Sequence, residues 1–276
     1  MAVWTMALVT FREAARRKIL WTALILGVAF LAIFGLGLRI QIADANARMV
    51  PPFLRYQILD SMLLIGLYTV DLLAVVMTIL TSVDSIAGEV SSGTIEAIAT
   101  KPIPRWHILV GKWLGFAVMI GIYVAFMFGG MIAVGSWVAG VTPQNPLAGA
   151  LLVYLECLVV LTVSFMFGTW FSALTNGVVV LGICGVAFMG GWLEQMSGFT
   201  ESAHLVQLGV VSSLLMPSEA LWRRAAFEMQ SPIAGSLPFS PFANISVPSN
   251  VMIGYAVVYL LIAMAVAVFH FQHRDL

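Results

Sequence analysis

The chain has 276 residues, of which 61% are hydrophobic and 9% are charged, and its 13 basic and 13 acidic side chains cancel. Soluble domains carry about 25% charged residues, so this composition leaves too little polar surface to cover a water-soluble fold. A net charge of zero provides no overall field for nucleic acid, and the two cysteines lie in apolar stretches that do not indicate a disulfide framework. Lipid is therefore expected to be the solvent for most of the chain.

Six apolar stretches are long enough to cross a bilayer, which takes about 20 residues of α-helix. They predict an all-α integral membrane protein with six transmembrane helices in one domain, 1–276. The predicted spans are 19–38, 59–83, 108–139, 147–171, 177–193 and 251–271. The third span is long enough to tilt or to project from the bilayer.

The distribution of Lys and Arg predicts the orientation of these spans. An even number of spans places both termini on one side, and that side carries eight of the 13 basic residues. Two of the other five, Arg223 and Arg224, lie deep in a long loop, where charge has little influence. The positive-inside rule therefore places the N- and C-termini in the cytoplasm.

Residues 1–18 are predicted to form an amphipathic interfacial helix that lies on the membrane. Its apolar side chains recur at spacings of three and four residues, and its basic side chains crowd the end of the segment. The apolar set is Trp4, Leu8, Phe11 and Ala15, and the basic set is Arg12, Arg16, Arg17 and Lys18. The alternative is that the basic set acts only as an orientation signal for the first span.

The segment between the second and third spans is the most informative part of the sequence. The second span is predicted to continue past the bilayer through Glu89, and Gly93 can then turn the chain. A short helix, 94–100, follows and is stopped by Pro102 and Pro104. A cytoplasmic helix held between two spans can transmit force from a bound partner. The alternative is an ordinary loop with solvated charges.

The interval 194–250 is predicted to be a helical extracytoplasmic loop. Its helix, 218–230, would begin at Ser218 as the N-cap residue after Pro217. Four prolines then mark 232–248 as a rigid connector. Loops of this length are usually functional or disordered, and the apolar content of this one favours an ordered external cap.

Two carboxyl side chains fall near the middle of predicted spans, Asp71 in the second and Glu156 in the fourth. A charged group at the bilayer centre costs about 2.5–3.5 kcal/mol on insertion scales, so such residues usually face protein or water. Both are candidates for a polar spot on a translocation route or for a proton site. The alternative is a neutral, hydrogen-bonded carboxyl group that only holds helices together.

The loop between the second and third spans carries a motif that resembles type-2 ATP-binding-cassette (ABC) exporter permeases. The motif consists of Glu89, Gly93, Thr94, Glu96, the run from Lys101 to Arg105, Gly111 and Lys112. The segment 11–21 is similar to the elbow helix and first span of that family. The segments 217–227 and 273–276 are similar to permeases grouped with multicopper-enzyme maturation systems.

The resemblance implies a six-span permease subunit of the inner (plasma) membrane, paired with a second copy or with a homologous permease. Two cytoplasmic P-loop ATPase subunits would bind ATP and Mg²⁺, so this chain would be neither an enzyme nor the holder of a cofactor. In keeping with this, the sequence has no G-x-x-x-x-G-K-[ST] phosphate loop, because Trp113 follows Gly111 and Lys112.

The resemblance also implies roles for the segments described above. The ATPase-coupling residues would be Glu89, Gly93, Thr94, Glu96, Lys101 and Arg105, and the elbow helix would carry Trp4, Phe11, Arg12, Arg16 and Arg17. The second and fifth spans would line the translocation route, with Asp71 and Glu156 as possible contacts, and the outer loop would cap it.

Two other classes of function can be weighed against a permease. An intramembrane enzyme is disfavoured because the sequence lacks H-E-x-x-H and its four histidines lie at span ends or in loops. The four histidines also lack ligand spacing, so no metal site is predicted. An ATP-independent secondary transporter, with Asp71 and Glu156 as its coupling sites, is the alternative that stays open.

Overall fold

The computed structural model describes residues 2–16, 18–91, 104–200, 202–231 and 247–273, with the side chains of 89–91 and 198–200 excepted. The described chain forms nine α-helices and contains no strand, which confirms the predicted all-α class. The helices are α1 (Ala2–Arg16), α2 (Lys18–Ala47), α3 (Pro52–Ser91), α4 (Arg105–Val134), α5 (Pro146–Gly168), α6 (Ala173–Thr200), α7 (Ala203–Leu215), α8 (Ser218–Met229) and α9 (Asn250–His273).

Local sequence accounts for several of the helix boundaries. Pro52 and Pro146 stand in the first turns of α3 and α5, where a missing N–H leaves no helical bond unmade. At its far end α4 continues as a π-helical turn, Gly135–Ala139. Gly140 then ends it with a φ of 67°, a left-handed conformation that glycine adopts without steric strain.

Six of the helices are long and apolar enough to cross a membrane within the described residues. They are α2, α3, α4 with its π-helical turn, α5, α6 and α9. Each overlaps one of the six predicted spans, but most run further than the apolar stretch alone indicated. The helix α2, for example, continues past residue 38 to Ala47, and α3 reaches Ser91. Helical hydrogen bonding does not depend on lipid, so a helix can extend past the bilayer into water.

The helices α3 and α5 form the centre of the bundle. Of the most apolar part of each span, 56% is buried in α3 and 61% in α5, against 11% in α2 and 17% in α9. The outer helices therefore present their apolar side chains away from the protein. Side chains on α3 and α5 meet those of several neighbouring helices.

The N-terminal helix, the end of α3, the start of α4 and the end of α9 share one end of the bundle, called here the terminal end. Arg105 at the start of α4 donates from Nη1 to the carbonyl of Gln272 at 3.4 Å. The rings of Trp170, after α5, and His270, in α9, meet edge to face with centroids 4.9 Å apart. The two described chain ends therefore lie on the same side, as an even number of spans requires.

At the opposite end, α7 and α8 form a hairpin that enters the bundle and leaves it on the same side. The two helices are bent by 104° at Met216 and Pro217. Just after the C-terminal end of α8, Ser231 Oγ donates to Asp60 Oδ2 at 2.8 Å. Asp60 lies near the start of α3, so this hydrogen bond holds the end of α8 there. The N-terminal end of α8 reaches the level of Asp71 in the middle of α3. We call this re-entrant unit the α7–α8 hairpin.

The hairpin is helical, as predicted for the interval 194–250, but it inserts between spans instead of lying over them. Most of α8 is buried, including Trp222 and Arg223. Ser218 is not the predicted N-cap: Pro217 occupies that position and no side chain caps the helix. The reason is that Pro217 already ends α7, which leaves Ser218 inside the first turn of α8.

Tyrosines of α9 complete the break between α7 and α8. The last carbonyl groups of a helix have no intrahelical partner. The hydroxyl of Tyr255 donates to the carbonyl of Leu214 at 2.5 Å, and that of Tyr259 donates to the carbonyl of Leu215 at 3.0 Å. Irregular backbone at membrane depth is tolerated where protein satisfies its polar groups, and α9 does this for the hairpin.

Candidate functional site

A cavity of about 320 Å³ lies between α3, α5, α6 and the inner tip of the α7–α8 hairpin. Most of its wall is apolar, and several carboxyl, hydroxyl and thiol groups interrupt that wall. The apolar lining includes Leu72, Val75, Val76, Ile79, Leu181 and Phe188, and the polar lining includes Tyr68, Asp71, Glu156, Cys184, Ser218 and Glu219. Among the described residues that line it there is no Lys, Arg or His. The wall of the cavity is therefore mostly apolar, and its carboxyl groups have no basic side chain among the lining residues.

Asp71 and Glu156 meet at this cavity, although they are far apart in the sequence. They face each other because α3 and α5 pack together at the centre of the bundle, and their carboxyl groups come within hydrogen-bonding reach. Both residues are buried, with exposed fractions of 5% and 3%. Two carboxylates so close together cannot both be ionised without a compensating positive charge. The pair therefore either shares a proton or accepts a cation.

One oxygen of each carboxyl group has no hydrogen-bond partner within the described chain. These atoms are Oδ1 of Asp71 and Oε2 of Glu156. A buried polar atom without a partner costs about 1–3 kcal/mol, more where it is charged. The pair is thus incomplete in the protein alone, and a ligand, water or proton would stabilise it.

Glu219 is a third carboxyl group of the cavity, and the sequence did not single it out. It lies in the first turn of α8, where the positive end of the helix dipole favours a carboxylate. The nearest cation along α8 is Arg223, whose Nη2 donates to Glu194 Oε2 of α6 at 2.8 Å. The charge of the same guanidinium also acts on Glu219, so Arg223 lies between two carboxyl groups. A glutamate directly after Pro217 and Ser218 is the sequence signal that could have indicated a buried helix start.

The cavity opens on a surface formed by α3 and α6. Leu72 of α3 and Leu181 of α6 are exposed beside the opening. An opening that faced lipid would bring unpaired carboxyl groups next to hydrocarbon, at a cost of several kcal/mol. This surface therefore has to be covered by protein or by water.

A polar cluster joins the same three helices between the cavity and the terminal end of the bundle. Asn176 of α6 donates from Nδ2 to the carbonyl of Val83 at 3.2 Å and to that of Ser164 at 3.0 Å. Ser82 Oγ donates to Ser164 Oγ at 2.8 Å. Interhelical hydrogen bonds of this kind fix the relative positions of α3, α5 and α6.

The N-terminal helix α1 packs against the first turns of α4. Gly111 and Gly115 allow this close approach, because a Cβ atom at Gly115 would lie 2.7 Å from the carbonyl oxygen of Ala7. The contacting stripe of α1 is Ala7, Thr10 and Ala14. These small residues of α1 were not singled out in the sequence.

The larger apolar side chains of α1 lie beside that contact, and Phe11 also packs against the core. Trp4 and Leu8 are exposed and Phe11 is half-buried, while Arg12 and Arg16 are exposed near the end of the helix. Arg17 lies outside the described residues. An amphipathic helix with exposed Trp and Leu beside basic residues is typical of a membrane surface.

Most of the predicted ATPase-coupling residues lie outside the described part of the chain. This applies to Gly93, Thr94, Glu96 and Lys101; Glu89 lies in α3, but its side chain is not described. Arg105 is described and contacts the end of α9. Lys112, which is buried, donates from Nζ to the carbonyl of Ser85 at 3.5 Å. The helices on either side of the loop are thus held together directly.

These features define a multi-pass α-helical membrane protein with a mostly apolar, carboxyl-bearing cavity inside its bundle. The family model described as "ABC-2 family transporter protein" matches residues 4–276, and the chain therefore belongs to that family. A comparison with curated proteins finds no match. Membership confirms the resemblance to ABC-type permeases and indicates a membrane subunit for transport that is not itself catalytic.

Proposed function

We propose that the chain is the permease of an ATP-driven exporter, working as a pair with a second copy or a homologous permease. Two P-loop ATPase subunits would bind ATP and Mg²⁺ on the cytoplasmic side and supply all the catalysis. The protein would lie in the inner (plasma) membrane, with the terminal end of the bundle in the cytoplasm. Family membership supports the class of transporter.

The observation that best supports a transport function is the carboxyl-bearing cavity between α3 and α6. It is a concave, mostly apolar site with a few convergent polar groups, as ligand sites usually are. A second permease facing this surface would enclose the opening and protect Asp71 and Glu156 from lipid. The helices α3 and α6 are also the second and fifth spans, which the family resemblance assigns to the route.

Coupling would pass through the terminal end of the bundle. The loop 92–103 joins α3 to α4, and the residues proposed to contact the ATPase lie on it or beside it. Motion of that loop would reach α1 through its contact with Gly111 and Gly115. It would reach α9 through Arg105.

Co-purification tests this function directly. The full-length chain, extracted in mild detergent from its native membrane, should bring down a P-loop ATPase whose turnover it stimulates. Glu89→Ala and Glu96→Arg should weaken that association while membrane insertion stays normal. Asp44→Ala is the matched control, because it removes an exposed acid at the opposite end of the bundle. Full association in both test variants would remove the loop from the proposal.

The Asp71 and Glu156 pair also favours a second candidate, an ATP-independent secondary transporter. In that function the shared proton would be the coupling ion. Uptake or efflux that follows an imposed proton gradient in proteoliposomes without any ATPase would establish this alternative.

A narrower proposal within the first function places the chain among permeases of multicopper-enzyme maturation systems. This narrower proposal rests on the segments 217–227 and 273–276. It predicts that deletion of the gene for this chain leaves a multicopper enzyme of the same cell inactive.

A further inference from the structure

We propose that the cavity binds an organic cation, an ammonium group carried on a compact apolar body. This inference rests on the proposed transport function and names the chemical class of its substrate. Three carboxyl side chains, Asp71, Glu156 and Glu219, line the cavity, and the described lining residues include no basic side chain. The charge of Arg223 acts on Glu219, and a positively charged ligand is the chemistry that balances the remaining pair, Asp71 and Glu156.

The two unpartnered oxygens specify a hydrogen-bond donor. Oδ1 of Asp71 and Oε2 of Glu156 lack a partner, and an ammonium group offers three N–H donors and no acceptor. A neutral alcohol has one donor and no charge, and a carboxylate has no donor and the wrong charge. An ammonium group therefore supplies both the donors and the positive charge that the pair lacks.

A metal ion satisfies the same charge less well. In the part of the chain that the structure describes, no three His, Cys, Asp or Glu side chains are placed to hold a metal ion together. The rest of the wall is aliphatic and aromatic, with Leu72, Ile79 and Phe188 among its members. Such a wall offers contact to hydrocarbon and none to the water shell of a metal ion.

The size of the cavity limits the apolar body. Its volume of about 320 Å³ lies at the lower end of the range of small-molecule sites, roughly 300–1,000 Å³. A rigid cage hydrocarbon with one polar group suits this volume. Three such compounds have the same body and differ only in that group: 1-aminoadamantane, 1-adamantanol and 1-adamantanecarboxylate.

The first test is a comparison of these three probes on the unmodified full-length chain in lipid nanodiscs, by calorimetry at neutral pH. The protonated amine should bind at least about ten times more tightly than the alcohol, as one charge-assisted hydrogen bond predicts. The carboxylate should bind more weakly than either. Equal binding of amine and alcohol, or tighter binding of the carboxylate, would overturn the proposal, and no variant has to fold for this result.

The second test assigns binding to the pair. Asp71→Asn and Glu156→Gln should each weaken binding of the amine about tenfold or more and leave the affinity for the alcohol unchanged. Asp84→Asn is the control, because it removes an exposed carboxyl group from the same helix. Wild-type affinity for the amine in both test variants would overturn the assignment. These measurements need no ATPase, so failure of co-purification would refute the exporter function and leave the binding result standing.

Discussion

Arg223 of the α7–α8 hairpin and Glu194 of α6 form a buried ion pair, with Nη2 2.8 Å from Oε2 and side chains only 5% and 9% exposed. Each charge would be costly without the other, because neither can be solvated by water in that position. The pair lies one turn of α8 beyond Glu219 and so fixes the part of the hairpin that closes the cavity. The contribution of this ion pair to the free energy of unfolding can be measured separately from transport.

Removal of one member of this pair should destabilise the protein strongly. Arg223→Met removes the guanidinium that faces the buried Glu194 carboxylate, at a cost of about 3–5 kcal/mol in the free energy of unfolding. The double variant with Glu194→Gln should recover a large part of that loss. Arg48→Met is the control, since the Arg48–Asp44 pair is 73% and 46% exposed. Denaturant unfolding in detergent gives these differences, and equal losses at the buried and exposed pairs would contradict the assignment.

The tyrosines of α9 should stabilise the break in the hairpin. Tyr255→Phe and Tyr259→Phe each remove a hydroxyl group that donates to a carbonyl at the end of α7. Each change should lower the free energy of unfolding by about 1 kcal/mol, and the hairpin should become more accessible to protease. Tyr56→Phe provides the control on an exposed tyrosine. Unchanged cleavage between α7 and α8 in the double variant would argue against this role.

The packing of α1 against α4 should depend on Gly115. In Gly115→Ala the new methyl group would lie 2.7 Å from a backbone oxygen of α1, and main-chain atoms cannot rotate out of its way. The variant should release α1, so that trypsin cleaves after Arg12 and Arg16 faster than in the parent protein. Gly129→Ala, on the same helix but with open space around the new Cβ atom, should behave like the parent. The same cleavage rate in both variants would show that the groove does not hold α1.

A change at Asp71 should alter the coupling of transport to ATP hydrolysis. Asp71→Asn keeps the shape of the side chain and removes its charge, so assembly with the ATPase should be normal. Substrate-stimulated ATP turnover of the purified complex should change severalfold, because the cavity loses one of its carboxyl groups. Asp84→Asn should leave turnover unaltered. Wild-type turnover and transport in Asp71→Asn would reduce this residue to a structural contact.

Cysteine labelling should place the terminal end of the bundle in the cytoplasm. In a background with Cys157 and Cys184 replaced by alanine, Met49→Cys should react with an impermeant maleimide from outside the cell, and Glu13→Cys should not. Position 13 is used because its neighbour Ala14 is buried against the bundle. Met49 lies exposed between α2 and α3. The reverse labelling pattern would invert the proposed topology.

The six spans could be predicted because hydropathy and length are local properties. The apolar character of each span is visible in its own sequence, whichever helices it packs against. The hairpin was harder, since α7 is too short to cross a bilayer and α8 carries Glu219, Arg223 and Arg224. Those charges indicated exposure to water. The tertiary pairing of Arg223 with Glu194 compensates one of these charges inside the bundle.

The candidate site was predicted in parts but not as a whole. Asp71 and Glu156 stood out individually, because carboxyl groups are rare in apolar spans. Their mutual contact depends on the packing of α3 against α5, which no spacing within one helix records. Glu219 joins them through the depth to which the hairpin inserts. Neither the packing nor the depth can be read from a single sequence.

The backbone contact between α1 and α4 has a mechanical consequence for the membrane. With glycine at positions 111 and 115, main-chain atoms set the distance between the two helix axes, and no side-chain rotation can loosen it. Any tilt of α4 during a cycle therefore moves α1 with it. Because Trp4 and Leu8 are exposed on α1, this movement would displace lipid in the headgroup layer if α1 lies on the membrane as proposed. In the proposed exporter, part of the work of each cycle would then be done against the bilayer, so stiff or strongly anionic lipid should slow ATP turnover without any change in the cavity.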